Sequence, residues 1–251
     1  MKINDYDIDI VVQGFPGKSV CHGGLGWSSV VLVRAHGRIL LVDTGGFSMR
    51  TMLIKRFAER GLKPADITDL LLTHSHNDHS VNWTMFSHAR IVIGADELAW
   101  SLKVPWGETP VPELYMRELK AWPTLYTAVE GEEVFPGITA HLAPGHTLGH
   151  LVFVLHAPEH DVIFAGDAAK NRAELVSGTT DMTYDAAISK ASIDAIWTLW
   201  RRRPGNIVVP GHDVPMVLEN GNPKYIDKRE AAISAWFGDD METTTLFKLT
   251  V

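Results

Sequence analysis

Runs of aliphatic residues punctuate the chain and predict its strands. They are Ile8-Asp9-Ile10-Val11-Val12, Ser29-Val30-Val31-Leu32-Val33, Ile39-Leu40-Leu41-Val42 and Leu70-Leu71-Leu72 in the first part. Further on come Ile91-Val92-Ile93, Ile138-Thr139-Ala140-His141-Leu142, Leu151-Val152-Phe153-Val154-Leu155 and Asp161-Val162-Ile163-Phe164. A short turn around His36-Gly37-Arg38 makes two of these runs neighbours. Met49, Met52, Leu53 and Phe57 recur at helical intervals and the pattern stops at Gly61, so an amphipathic helix is expected over 47–60. Pro64-Ala65-Asp66-Ile67 then leads into the next strand. A long helix is expected over 186–201, its last turn running into Arg201-Arg202-Arg203, where cations suit the dipole, before Pro204-Gly205. Residues 228–237 are expected to be helical, and 243–251 to form a final edge strand.

Two segments depart from this rhythm. Gly14-Phe15-Pro16-Gly17 through Gly23-Gly24-Leu25-Gly26-Trp27 is glycine-rich without the strand-to-helix fingerprint of a dinucleotide site, and is expected to be a loop near the mouth of a site. Residues 98–127 hold Trp100, Trp106, Tyr115, Trp122 and Tyr126 among Pro105, Pro110, Pro112 and Pro123, which suggests a lid over a substrate or a dimer arm. The same rings would serve equally well for packing.

Candidate chemistry begins directly behind Leu70-Leu71-Leu72. Thr73-His74-Ser75-His76-Asn77-Asp78-His79 packs three imidazoles and a carboxylate into a strand-to-loop transition. Two-residue alternation puts His74 and His76 on one side, while Asp78 and His79 turn toward a neighbouring point, which suits two metals. Imidazole and carboxylate are donors that zinc and similar divalent ions accept, and more are needed than one loop supplies. Three later places follow short apolar runs: Pro144-Gly145-His146-Thr147-Leu148-Gly149-His150, Phe164-Ala165-Gly166-Asp167 and Val208-Val209-Pro210-Gly211-His212. His146 completes a three-histidine site with His74 and His76, His212 joins Asp78 and His79, and Asp167 can bridge the two. Any one of these histidines alone reads better as an ordinary surface or core residue; the joint pattern does not. Of the histidines left over, His150 and His22 stand apart, and His150 can orient a ligand by a hydrogen bond.

With Leu41-Val42-Asp43-Thr44-Gly45 placed ahead of the histidine loop, these motifs make the chain resemble the metallo-β-lactamase-fold hydrolase superfamily over nearly its whole length. The resemblance implies an α/β fold, the αββα sandwich, in which two mixed sheets pack face to face with helices outside. It implies one domain over 1–251 with the insert at about 98–127. It also implies a dinuclear centre of His74, His76, Asp78, His79, His146, Asp167 and His212, with Asp43 and, less so, His150 supporting the ligands. The cofactor expected is a pair of divalent ions, zinc first, with iron or manganese as alternatives.

Composition narrows the partners. The chain has 251 residues, 45% hydrophobic content and a formal charge of −7, enough for a sizeable core and unfavourable for broad attraction to phosphate backbones. The basic run 201–203 reads as the solvated end of a helix, so nucleic acid is disfavoured and a small-molecule substrate is expected. No apolar stretch approaches the roughly twenty residues that cross a bilayer. Cys21 is the single cysteine, and the first residues, Met1-Lys2-Ile3-Asn4-Asp5-Tyr6-Asp7, lack a secretion pattern, so a cytoplasmic location is the default expectation.

Two divalent ions sharing Asp167 are expected to share a water whose pKa falls toward neutrality, giving a hydroxide that attacks a carbonyl while Asp78 orients it and relays its proton. A lactone or carboxylic ester is the leading substrate class, because related lactonases use the same seven ligands. Those lactonases place a tyrosine three residues past the bridging aspartate, where Lys170 stands here. Lys170, Asn171, Trp83 and Trp106 are the candidate substrate contacts. Glyoxalase II-like thioesterases share the ligand set but follow the loop with glycines where this chain has Ser80-Val81-Asn82-Trp83. A phosphodiesterase or nuclease is the other alternative, supported by Val12-Gln13-Gly14-Phe15, which resembles a branch of the superfamily associated with RNA cleavage. Two readings from other classes are a closed structural metal site and oxidation at iron.

Overall fold

The structure, a computed structural model, describes residues 1–21 and 23–250; His22 lies outside the described residues. Two seven-stranded sheets dominate, and each follows chain order across its width. The first runs Lys2–Ile3, Tyr6–Val12, Val30–Ala35, Arg38–Val42, Asp69–Leu71, Arg90–Gly94, Leu125–Ala128, antiparallel at first and parallel from Arg38–Val42 onward. The second runs Glu133–Phe135, Ile138–Leu142, Leu151–His156, Asp161–Gly166, Ile207–Pro210, Met216–Glu219, Asn222–Tyr225, with one parallel pair, Asp161–Gly166 beside Ile207–Pro210.

Side-chain alternation shows why the runs are uninterrupted. Val31, Val33, Leu40, Leu71 and Val92 of the first sheet meet Leu151, Phe153, Leu155, Val162 and Phe164 of the second in the central core. The intervening residues Val30, Leu32, Leu41, Leu70 and Ile91 face outward and are covered by Leu53 and Phe57 of helix Arg50–Ala58 and Met116 and Leu119 of helix Glu113–Lys120. On the other outer face Val152, Val154, Ile163 and Val208 pack under Ile193, Ile196 and Trp200 of helix Ala186–Arg201. Both faces of the strands are therefore buried, in a four-layer αββα sandwich.

Two expectations are corrected. The helix expected over 47–60 begins as a 3-10 turn, Phe47–Met49, before the α-helix Arg50–Ala58. Residues 228–237 are not helical: Ala232–Ala235 is a strand paired with Thr245–Lys248 in a separate two-stranded sheet, so the C-terminal strand edges neither large sheet. The start of that segment is held extended by Arg229, whose guanidinium donates to Asp213 Oδ1, and by the Glu230 amide, which donates to Gln13 Oε1 at 2.8 Å. Residues 98–127 comprise the end of helix Ala95–Ser101, helix Glu113–Lys120 and the start of the edge strand Leu125–Ala128, with 102–112 between the helices outside any helix or strand. Trp100, Tyr115 and Trp122 pack against the outer core, while Trp106 is 55% exposed.

Candidate metal centre

The proposed ligands leave both sheets at one edge. Asp69–Leu71 lies between parallel neighbours, and its carboxyl end delivers His74 and His76 and then the short helix Asn77–Ser80, which presents Asp78 and His79. In the second sheet Asp167 follows Asp161–Gly166 directly, His212 follows Ile207–Pro210, and His146 sits in the loop before Leu151–His156. Carboxyl ends of parallel strands are where loops of such sheets converge.

The seven side chains form three overlapping groups whose candidate ligand atoms lie within 4.8 Å of one another: His74, His76 and His146; His74, His79 and Asp167; Asp78, His79 and His212. His146 Nε2 lies 2.9 Å from His76 Nδ1 and 3.3 Å from Asp167 Oδ2. Asp167 Oδ1 faces the other end, 3.2 Å from His79 Nε2 and 3.3 Å from His212 Nε2. Asp78 Oδ2 closes that end, 3.3 Å from His212 Nε2. Donors held about 2.0–2.1 Å from a tetrahedral zinc stand roughly 3.3 Å apart, so these spacings fit a cation between them. His74 Nε2 and Asp167 Oδ1 are buried without a hydrogen-bond partner, the condition a metal relieves.

Neighbouring groups orient the ligands. Asp43 Oδ2 accepts from His79 Nδ1 at 2.7 Å, turning Nε2 inward, and Asp43 Oδ1 accepts from the Thr73 amide at 2.8 Å. His150 Nε2 accepts from the Asp167 amide at 3.0 Å, and its ring stacks on His74. Burial pushes the His150 pKa down to about 3, so it stays neutral and keeps that acceptor. The two ends push their imidazoles in opposite directions. Burial depresses His76 to about 4 and holds His74 and His146 well below the usual imidazole range. At the other end burial opposes protonation too, but Asp167 and Asp78 outweigh it and raise His212 to about 9, and with Asp43 they hold His79 well above its ordinary value. Asp167 is buried, yet His212, His79 and His146 keep its carboxyl well below the usual range.

A cavity of about 790 Å³ opens over the ligands, lined by the loop residues Pro16, Gly17 and Lys18 on one side and by Lys170, Asn171, Met182 and Tyr184 on another. The glycine-rich loop thus stands at the site's mouth. The Lys170 ammonium is 3.0 Å from Glu174 Oε1 but makes no directed hydrogen bond. Asn171 caps helix Arg172–Ser177, its Oδ1 accepting from the Glu174 amide at 3.1 Å. Trp83 and Trp106 are not in the cavity wall. Trp83 is 1% exposed and packs on Trp122 in the core, and the Trp106 ring lies under the Arg117 guanidinium. The aromatic rings that do line it are Trp100, 6.4 Å from the His76 ring, and Tyr184, 6.2 Å from Trp100.

The model of the metallo-beta-lactamase superfamily matches residues 23–212, the stretch that contains every ligand described. The chain belongs to that superfamily. Human metallo-beta-lactamase domain-containing protein 1 is 27% identical over 196 residues, 76% of this chain and 64% of that protein. The N-acyl homoserine lactonase of Bacillus cereus is 26% identical over 157 residues, 61% of this chain and 59% of the lactonase. The chain spans less than two thirds of the length of the curated relatives it matches. Among solved structures, AidC, a dizinc quorum-quenching lactonase, superposes with a TM-score of 0.66 at 19% identity, covering 81% of this chain and 80% of AidC. Three groups of His and Asp side chains that could hold a metal ion are present among the described residues, and no helix among them is long and apolar enough to cross a membrane.

Proposed function

We propose that this protein is a dinuclear metal-dependent hydrolase that opens a lactone or cleaves a carboxylic ester. The observation that carries the reading is Asp167, one oxygen of which faces His146 while the other faces His79 and His212, so a single carboxylate serves both ends of the ligand set. His74, His76 and His146 would hold one cation, Asp78, His79 and His212 the other, with Asp167 common to both; zinc is the favoured metal. Such a pair supplies Lewis acidity for the carbonyl and a hydroxide nucleophile at neutral pH.

The chain's own residues do the rest. Water oxygen bonds to the carbonyl carbon, the carbonyl electrons move onto oxygen, and their return breaks the ester C–O bond. Asp78 lines the cavity with its side chain 33% exposed, placed to take the water's proton and pass it to the departing alkoxide. Lys170 and Asn171 border the same space and can turn a donor toward the developing oxyanion. Trp100 and Tyr184 supply apolar walls for an acyl or ring substituent.

The test is a substrate panel on the metal-loaded protein: short and long acyl lactones, esters, thioesters, β-lactams and aryl phosphodiesters, with His76→Ala as the inactive control. Turnover of lactones or esters is expected, abolished by chelation. Inert lactones and esters beside efficient cleavage of bis-aryl phosphodiesters would hand the assignment to a phosphodiesterase.

A further inference from the structure

Glu97 lies outside the ligand set, on helix Ala95–Ser101 immediately after strand Arg90–Gly94, and its side chain is completely buried. Its two oxygens divide between two ligand loops. Oε1 accepts from the Ser75 amide at 2.8 Å and the Ser75 hydroxyl at 2.6 Å; Ser75 stands between His74 and His76. Oε2 accepts from the Thr147 hydroxyl at 2.7 Å and the Gly149 amide at 3.1 Å, just behind His146. One carboxylate therefore ties the loop of the first sheet to the loop of the second at the three-histidine end.

The choice of group fits four converging donors. A carboxylate offers only acceptor sites, whereas an amide of the same shape brings an NH2 that would face an N–H or O–H. Burying the charged form is unfavourable unless such bonds are made, and here all four are. The backbone geometry points the same way independently. A Cβ on Gly149 would sit 2.0 Å from the Glu97 amide nitrogen, and one on Gly94 would sit 2.7 Å from the Gly149 carbonyl oxygen. Helix and loop thus touch backbone to backbone, and only glycine permits the approach that brings the carboxylate within reach.

From this geometry we infer that Glu97 is a positioning residue for one metal: it fixes the distance between the His74/His76 loop and the His146 loop, and so the grip of the three-histidine end. The opposite end is held by other groups, chiefly Asp43 on His79 and the Lys170 carbonyl, which accepts from the His212 amide at 2.7 Å. The effect of losing Glu97 is accordingly one-sided. The inference rests on the metal-centre reading above but not on the substrate.

The experiment measures both cation affinities by chelator competition, and the visible spectrum of the cobalt(II)-substituted protein, for the wild type and for Glu97→Gln, Glu97→Asp and the helix control Asp96→Asn. Glu97→Gln and Glu97→Asp are expected to weaken one of two cations about 10–100-fold and to change one cobalt site, leaving the second cation and the control unaffected. Should Glu97→Gln fail to fold, Ser75→Ala and Thr147→Val each remove a single donor, and each is expected to give a smaller loss at the same end. Variants that melt earlier yet bind both cations as the wild type does would reduce Glu97 to a fold-stabilising residue and overturn the inference. A wild type that binds no cation would instead sink the metal reading itself, a distinguishable failure.

Discussion

The carboxylate of Asp43 accepts a hydrogen bond from His79 Nδ1 at 2.7 Å, while its other oxygen takes the Thr73 amide, so one side chain sets both the ring tautomer of a ligand and the start of the loop that carries it. Asp43 itself holds a left-handed backbone conformation, φ 57°, unusual for a residue with a Cβ. Replacing Asp43 with Asn removes the charge-assisted bond, and metal affinity is expected to fall about 10–100-fold with little change in secondary structure. Chelator competition beside a circular dichroism spectrum checks this, and unchanged affinity refutes it.

Gly211 is expected to be intolerant of even one methyl group. A Cβ there would stand 2.1 Å from Asp167 Oδ1 and 2.8 Å from the Gly166 backbone, so Gly211→Ala must displace the carboxylate common to both ends. Activity should drop at least about tenfold, with a stability loss of about 1–3 kcal/mol from overpacking. Steady-state kinetics and a thermal melt on the same preparation separate the two effects.

Lys170→Met tests the oxyanion role. Loss of a preorganised donor costs about 100-fold in kcat when it stabilises the transition state, with KM little altered. A rise confined to KM would place the cation on a ground-state substrate group instead.

The pH dependence of folding has a defined contribution from Asp9. Its hydrogen bonds with Arg60, one of them 2.9 Å, hold the carboxyl below its usual pKa against the opposing effect of burial. A depressed folded pKa stabilises above the unfolded value, near 3.9, and that stability is lost as pH falls through the folded value. Asp9→Asn is therefore expected to cost about 1 kcal/mol at pH 7 and progressively less below pH 4. Denaturant titrations at both pH values measure the difference.

The candidate ligand motifs were legible because each donor lies in a segment that leaves the end of a strand, and strands buried on both faces write themselves as unbroken Leu, Ile and Val runs. Other features depend on tertiary contacts. Ala231, Ala232 and Ala235 favour a helix by propensity, yet pairing with Thr245–Lys248 holds Ala232–Ala235 extended. Trp100 and Trp106 look alike in sequence, and only the phase of helix Ala95–Ser101 decides that Trp100, three residues after Glu97, faces the ligands. Glu97 carries no motif at all, since its partners come from positions 22 and 50 residues away.

Because each sheet is drawn from one contiguous stretch of chain, the seam between the stretches, at 129–132, also divides the ligands. His74, His76, Asp78 and His79 fall on one side, and His146, Asp167 and His212 on the other. Neither portion can complete any of the three groups by itself. Cation binding is thereby thermodynamically linked to the docking of two separately encoded layers, so whatever strengthens coordination also clasps the sandwich shut.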